Sequence, residues 1–369
     1  MSKIFVCGDI FNGNSCDNFI SKEVIDIIKK CELAIFNLEG PIVSKSNSVL
    51  KAGPILKQHP STINTLKKSG FNLALLSNNH IFDYGKEGLE QTILSLDNND
   101  IQFIGAGRNY NEIFSPLVKE IAGFKIGFIN ACEFHNGAYD QNLEKSDSGY
   151  LWLNHPDFDE MIKKTRSNVD ILFVFVHAGL ENVNIPLWEW RQKYKSICDL
   201  GADYVIGSHP HVPQGIEDYN NSTIFYSLGN FYFDYHKSTN ETYSLVFDLY
   251  NLKNVSFVYT SNIGEKVVLS EKNIKSSVEI LNNKIRLLTN KYDVQSIAPE
   301  ISKKIMIDYL SAFLSIDSRL NLFFIIKIIF LRFLVSKSKS RYLNTLRYHF
   351  FRNETYQMVM ENLYRNRIK

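Results

Sequence analysis

The chain has 369 residues, 44% hydrophobic and 22% charged, which is enough apolar material for a sizeable buried core and excludes a wholly disordered polypeptide. A net charge of +2 excludes a globally basic nucleic-acid coat. The balance is uneven, because residues 319–369 hold eleven Lys and Arg against two Asp and Glu, giving +9 there and leaving −7 for residues 1–318.

In chain order, Lys3 to Cys7 (KIFVC) is short, apolar and β-branched and ends at Gly8-Asp9, and Ser21 to Lys30 then carries helical periodicity. Leu33 to Phe36 (LAIF) repeats the strand pattern before Asn37-Leu38-Glu39-Gly40. Further strands are predicted at Leu73 to Leu76, Ile101 to Ile104, Lys125 to Asn130, Ile171 to Val176, Tyr204 to Ile206 and Thr223 to Tyr226, with a helix over Lys86 to Asn98. This alternation predicts layered α/β packing. Residues 242–260 change to two β-rich runs around Asn251-Leu252-Lys253-Asn254, read as a hairpin at the sheet's edge. From Ser270 the chain reads as helical, and the polar stretch Ser261 to Lys266 suggests a boundary between a domain at 1–265 and a basic helical extension at 266–369.

Chemistry-bearing residues recur just after the predicted strands: Asp9, Glu39, Asn79-His80, His177 and His209-Pro210-His211. Open α/β sheets bind ligands at that carboxyl edge. Five segments would thus deliver carboxylate, amide and imidazole groups to one rim, a donor set that suits Zn, Mn, Fe or Ni better than calcium. Asp9 and Asn79 also suit helix N-caps. Asp83, in Asp-Tyr-Gly, reads as a turn residue able to orient His80, and a loop is expected to aim the two rings of His-Pro-His. Asn230 closes a strand at the same rim and reads equally as a substrate contact or a turn former. The isolated His59, His135 and His155 read as surface or locally hydrogen-bonded side chains, Trp188 and Trp190 as core or lid packing ahead of a sugar or polymer platform, and Lys51 as a solvated cation or a partner for an anionic substrate. Five cysteines, at positions 7, 16, 31, 132 and 198, form no CxxC, which suits a reducing compartment. The N-terminus lacks the long apolar run of a signal peptide, so a cytoplasmic location is expected. No Walker loop or Cys/His nucleophile signature is present.

Six motifs stand in the order of the CapA family: Gly8-Asp9-Ile10, Asn37-Leu38-Glu39-Gly40-Pro41, Ser77-Asn78-Asn79-His80 with Asp83-Tyr84-Gly85, His177-Ala178-Gly179-Leu180-Glu181, Gly207-Ser208-His209-Pro210-His211 and Tyr226-Ser227-Leu228-Gly229-Asn230-Phe231. Over roughly residues 1–250 the chain resembles that family, which is named for capsule and poly-γ-glutamate synthesis and is similar to calcineurin-like metallophosphoesterases. The resemblance implies a metallophosphoesterase-like layered α/β sandwich with a C-terminal helical extension. It also implies one or two divalent cations, with Mn, Zn or Fe expected. Glu39 would bridge them, with Asp9 and His211 on one and Asn79, His177 and His209 on the other. His80 would act beside the substrate as acid or electrostatic residue, Glu181 would hold a ligand histidine, a water or a substrate group, and Asn37 and Asn230 would contact substrate. Where the phosphoesterase pattern has a histidine two residues after the first aspartate, this chain has Phe11, so the first cation would have fewer protein ligands. The implied function is a metal-dependent, hydrolase-like protein acting by metal-activated water attack in synthesis or processing of a bacterial surface polymer, poly-γ-glutamate or capsular polysaccharide. The alternative is a non-catalytic metal- and polymer-binding accessory of a membrane-associated synthase.

Leu322 to Val335 has twelve apolar residues in fourteen, broken by Lys327 and Arg332. That is shorter than the about 20 residues of a transmembrane helix. It reads as a helix packed on the α/β domain, with an interfacial membrane helix or a partner helix as alternatives. The basic residues Lys337, Lys339, Arg341, Arg347 and Arg352 would favour anionic lipid or polymer. Expected partners are therefore an anionic surface polymer or its precursor, capsule-synthase membrane subunits, and the inner membrane face through residues 322–352. The acidic balance of residues 1–318 argues against nucleic acid.

Overall fold

The computed structural model describes residues 2–288, apart from positions 15, 45, 50, 52–53, 235–240, 253, 264 and 271–274, together with Glu354. The apolar run Leu322 to Val335 and the basic segment after it lie outside the described residues.

Two sheets form the framework. In the first, the order is Lys266–Leu269, Ser256–Ile263, Glu241–Asp248, Lys3–Phe11, Leu33–Leu38, Leu73–Leu75 and Gln102–Ile104, and Asn230–Phe233 also pairs with Lys3–Phe11. The strands from Lys3–Phe11 to Gln102–Ile104 are parallel to one another, as expected where helices make the crossovers. The second sheet runs Ile216–Tyr219, Ser222–Phe225, Tyr204–Ser208, Ile171–His177, Phe124–Cys132 and Leu117–Ile121, with a parallel centre and antiparallel edges. All eight strands expected from the sequence are present, and the expected helices appear as Lys22–Ile28 and Gly85–Asp97.

Alternation within strands decides the layers. Ile4, Val6, Leu33, Ile35, Leu73 and Leu75 of the first sheet meet Phe128, Phe173, Phe175, Ile206 and Phe225 of the second in one apolar layer. The opposite face of the first sheet, with Phe5, Ala34 and Phe36, packs under Val24, Ile28, Ile63, Leu66, Leu89 and Ile93 of its helices. The outer face of the second sheet packs Val174 and Val176 against Phe158, Ile162, Trp190, Tyr194 and Ile197. The result is a helix–sheet–sheet–helix sandwich.

Two expectations change. The hairpin of residues 242–260 is not the sheet's edge: Glu241–Asp248 pairs with Lys3–Phe11, and a further strand, Lys266–Leu269, closes that side. Ser256–Ile263 pairs with that strand through Ile263 and Lys266, so the sheet continues across the position where a boundary was expected. The helix Lys275–Leu287 follows. No helix among the described residues is long and apolar enough to cross a membrane.

Candidate metal centre

The carboxyl ends of the central strands of both sheets meet at one rim. Asp9, Asn37 and Asn230 stand side by side on three parallel strands, and the ladder slips around Asp9, a bulge that re-aims its side chain. Gly8 permits this closeness, since a Cβ there would lie 1.8 Å from the Gly229 carbonyl oxygen. Across the rim, His177 is in register with Ser208 and Cys132, so His209 and Glu133 each follow immediately from a neighbouring strand. The Asp9 carboxylate accepts the His209 backbone N–H at 3.1 Å and joins the two sheets. His209 and His211 both have left-handed backbones, with φ of 93° and 59°, so a strained loop aims the rings.

The first donor group is Asp9, Glu39 and His211, all buried, with ligand atoms within 4.8 Å of one another. Asn37 Nδ2 donates to Asp9 at 2.7 Å. His211 Nδ1 lies 2.8 Å from Asn230 Oδ1, which as an acceptor fixes the proton on Nδ1 and leaves Nε2 facing Glu39 at 3.7 Å. Asn37 and Asn230, expected as substrate contacts, each also orient a donor residue here. Asn230 Nδ2 remains buried without a partner.

The second group is Asn79 Oδ1, His177 Nε2 and His209 Nδ1, with His177 Nε2 at 3.0 Å from Asn79 and 3.2 Å from His209. His177 Nδ1 is backed by Ser208 Oγ at 2.9 Å and Asn37 Nδ2 at 3.3 Å. On its other side, His209 Nε2 stands 3.4 Å from Glu133 Oε1, which also lies 3.0 Å from His135 Nε2. Glu133, His135 and His209 are themselves a buried set with ligand atoms within 4.8 Å. A carboxylate on one imidazole nitrogen raises the basicity of the other, so Glu133 favours ligation through His209 Nδ1. His135 was expected to be a surface or locally bonded histidine and instead lies at this rim, while Glu133 was not singled out at all. Glu133 directly follows the Phe124–Cys132 strand and His135 comes two residues later, a placement like that of the other donors.

His80 sits beside Glu39, its Nε2 4.0 Å away, and its Nδ1 lies 2.7 Å from Asp83 Oδ2. Lys51 is buried here, paired with Asp83 and donating to the Asn79 carbonyl at 3.3 Å, so it is part of the rim rather than a solvated cation. Burial, with Lys51 adding to it, pushes the His80 imidazolium down to about 4. Burial likewise lowers His177 and His209, and brings His135 to about 4, so these rings are neutral and available as donors. Glu181, on the half-exposed loop after His177, is near enough for its charge to raise Glu39. Neither Asp9 nor Asn79 caps a helix: Asp9 lies within a strand, and the helices that follow are entered at Ser21 and Tyr84. His59 and His155 make local bonds, to Ser61 and to the Asp157 backbone, and Trp190 is core.

Glu39 tests the fit of a cation. It is fully buried, both carboxylate oxygens lack a hydrogen-bond partner, and burial followed by the Asp9 charge pushes its pKa well up. An uncompensated buried carboxylate is costly, and a divalent cation among these oxygen and imidazole donors removes that cost.

The family model described as bacterial capsule synthesis protein PGA_cap matches residues 3–235, which contain every donor named above. The chain belongs to this family. Among curated relatives, the capsule biosynthesis protein CapA of Bacillus anthracis is 30% identical, over 59% of this chain and 54% of that one. The PGA biosynthesis protein CapA of Bacillus subtilis (strain 168) is 30% identical over 63% of each. The match thus spans somewhat over half the length of these relatives. Among solved structures, a 5'-nucleotidase precursor from Thermus thermophilus superposes with a TM-score of 0.40 at 11% identity, over 82% of this chain and 59% of that one.

Proposed function

We propose that this PGA_cap protein is a divalent-metal-dependent hydrolase acting in synthesis or processing of a bacterial surface polymer. The observation that carries the reading is Glu39, a fully buried carboxylate with two unpartnered oxygens between His211 and His80. Asp9, Glu39 and His211 would hold one cation, and Asn79, His177 and His209 a second, with Mn, Zn or Fe suiting the donors. Such a cation supplies Lewis-acid polarisation and acidifies water. The chain's own residues do the rest. Asn37, Asn230 and Glu133 fix which imidazole and carboxylate atoms face the rim. Asp83 accepts from His80 Nδ1–H, leaving the neutral Nε2 lone pair at the rim to take a proton from an attacking water and pass it on to a leaving group, and Asn230 Nδ2 can donate to a substrate oxygen. The names of the Bacillus relatives support a capsule polymer, and an anionic polypeptide above all, as the substrate.

A second reading, a non-catalytic metal- and polymer-binding accessory of a membrane-associated synthase, is favoured by Phe11. It packs against Phe233 with ring centroids 5.1 Å apart, at the position where the phosphoesterase pattern has another ligand. Metal analysis combined with hydrolysis of a generic phosphodiester and of poly-γ-glutamate separates the two, using wild type, His209→Ala and His80→Ala. Catalysis predicts turnover in wild type and its loss in both variants, with metal depleted only in His209→Ala. Stoichiometric metal without turnover of either substrate contradicts it and supports the accessory role.

A further inference from the structure

Glu354 is remote in sequence from the domain, yet its carboxylate is bound beside the metal centre. Oε2 accepts the Phe134 backbone N–H at 3.1 Å, and Oε1 accepts from Trp152 Nε1 and Asn154 Nδ2, each at 3.1 Å. Phe134 is the residue between Glu133 and His135, so the niche shares a loop with the rim donors. Its wall is the edge-on pair Phe134 and Trp152, with centroids 5.2 Å apart, and Asn154 is exposed at its mouth. All three donors are uncharged. Between them they reach both oxygens of a carboxylate, one on Oε2 and two on Oε1, but supply no counter-charge, and burial raises the Glu354 pKa, with Glu133 adding to the rise. A carboxylate held this way is exchangeable, unlike one clamped by a bidentate arginine.

We infer that the Phe134 N–H, Trp152 Nε1–H and Asn154 Nδ2–H form a carboxylate subsite for an anionic polypeptide, and that Glu354 occupies it in cis as a built-in mimic of that polymer. This rests on the polymer reading above and names how the substrate is gripped. A polypeptide with a carboxylate on every residue presents one group to the niche while its adjoining stretch runs along the rim of Glu133, His135 and His209. Glu354 competes for the same donors, so the apparent affinity for polymer falls in proportion to the fraction of molecules with the niche free.

The test uses the full chain and a fluorescent γ-linked hexaglutamate, with binding followed by anisotropy at fixed ionic strength. Glu354→Ala should bind the hexamer about tenfold more tightly than wild type, as expected if Glu354 fills the niche about nine-tenths of the time. Adding Trp152→Phe and Asn154→Ala to Glu354→Ala should abolish the gain, with thermal melts confirming that each variant folds. Glu354→Gln, which turns one acceptor into a donor, should show a smaller gain than alanine. Binding by Glu354→Ala no tighter than wild type, a gain that survives loss of Trp152 Nε1 and Asn154, or equal binding of a galacturonate hexamer would overturn the inference. Metal content and polymer turnover of the wild type are read separately. Turnover without a binding gain in Glu354→Ala removes the subsite alone, whereas a binding gain without turnover removes the hydrolase reading alone.

Discussion

The two sheets bring different chemistry to the rim. The first supplies oxygen: Asp9, Glu39 and Asn79, with Glu39 left without a single hydrogen-bond partner for its carboxylate. The second supplies nitrogen: His177, His209 and His211, each ring tied to a neighbouring side chain. Buried carboxylate oxygens without compensation favour a cation, and neutral imidazoles narrow which cations suit the set. The centre therefore exists only while the sheets are packed, and each side can be broken separately.

The largest effect is expected on the oxygen side. Glu39→Gln should cost about a thousandfold in turnover, the scale of several kcal/mol of lost charge stabilisation. The same change should raise the stability of the metal-free protein by about 1–3 kcal/mol, because it removes a carboxyl group whose ionisation burial and the Asp9 charge oppose, and denaturant melts with and without chelator measure it. On the nitrogen side, His209→Ala should lose cation from the Asn79 and His177 group, read by metal analysis. Glu133→Gln removes the carboxylate behind His209 and beside His135 while leaving the donors of both groups in place, so its effect is smaller: metal affinity should fall about 10- to 100-fold with the fold intact. Unchanged affinity in Glu133→Gln would confine the centre to the residues the motifs mark.

The smallest effect lies away from the rim. Glu217, held by Arg191 at 2.7 Å and by Lys195 at 2.9 Å, has its pKa lowered to about 2 in spite of burial. A depressed folded-state pKa gives stability that is present above the unfolded value near 4.3 and is lost as pH falls toward 2. Discounted for partial exposure, this contribution is on the order of 1–2 kcal/mol, and Glu217→Gln should flatten the unfolding free energy between those pH values.

What the sequence made legible follows from strand chemistry. Short β-branched runs ending in Asp9, Glu39, His177 or His209 announce both the strand and the donor at its carboxyl end, because a parallel strand buried on both faces has a near-continuous apolar pattern. Glu133 and His135 follow the end of a strand in a similar way. Taken alone, His135 reads as an isolated histidine, although the Glu-x-His pair after Lys125 to Asn130 was the signal that could have found it. Lys51 was harder to see: it lies in an irregular segment between Leu33–Leu38 and Ser61–Ser69, where no periodicity relates it to Asp83. The role of Asn37 and Asn230 behind the donors depends on register across three strands, which pairwise spacing along one chain does not encode.

The central claim is that Glu39 and its neighbours hold a divalent cation, and thermal or denaturant unfolding of the metal-free protein titrated with Mn or Zn tests it most directly. Binding to the folded state should stabilise the wild type by about 2.7 kcal/mol at a hundredfold excess over the dissociation constant, with no comparable gain in Glu39→Gln. Identical unfolding with and without cation, or an equal gain in Glu39→Gln, would contradict the account.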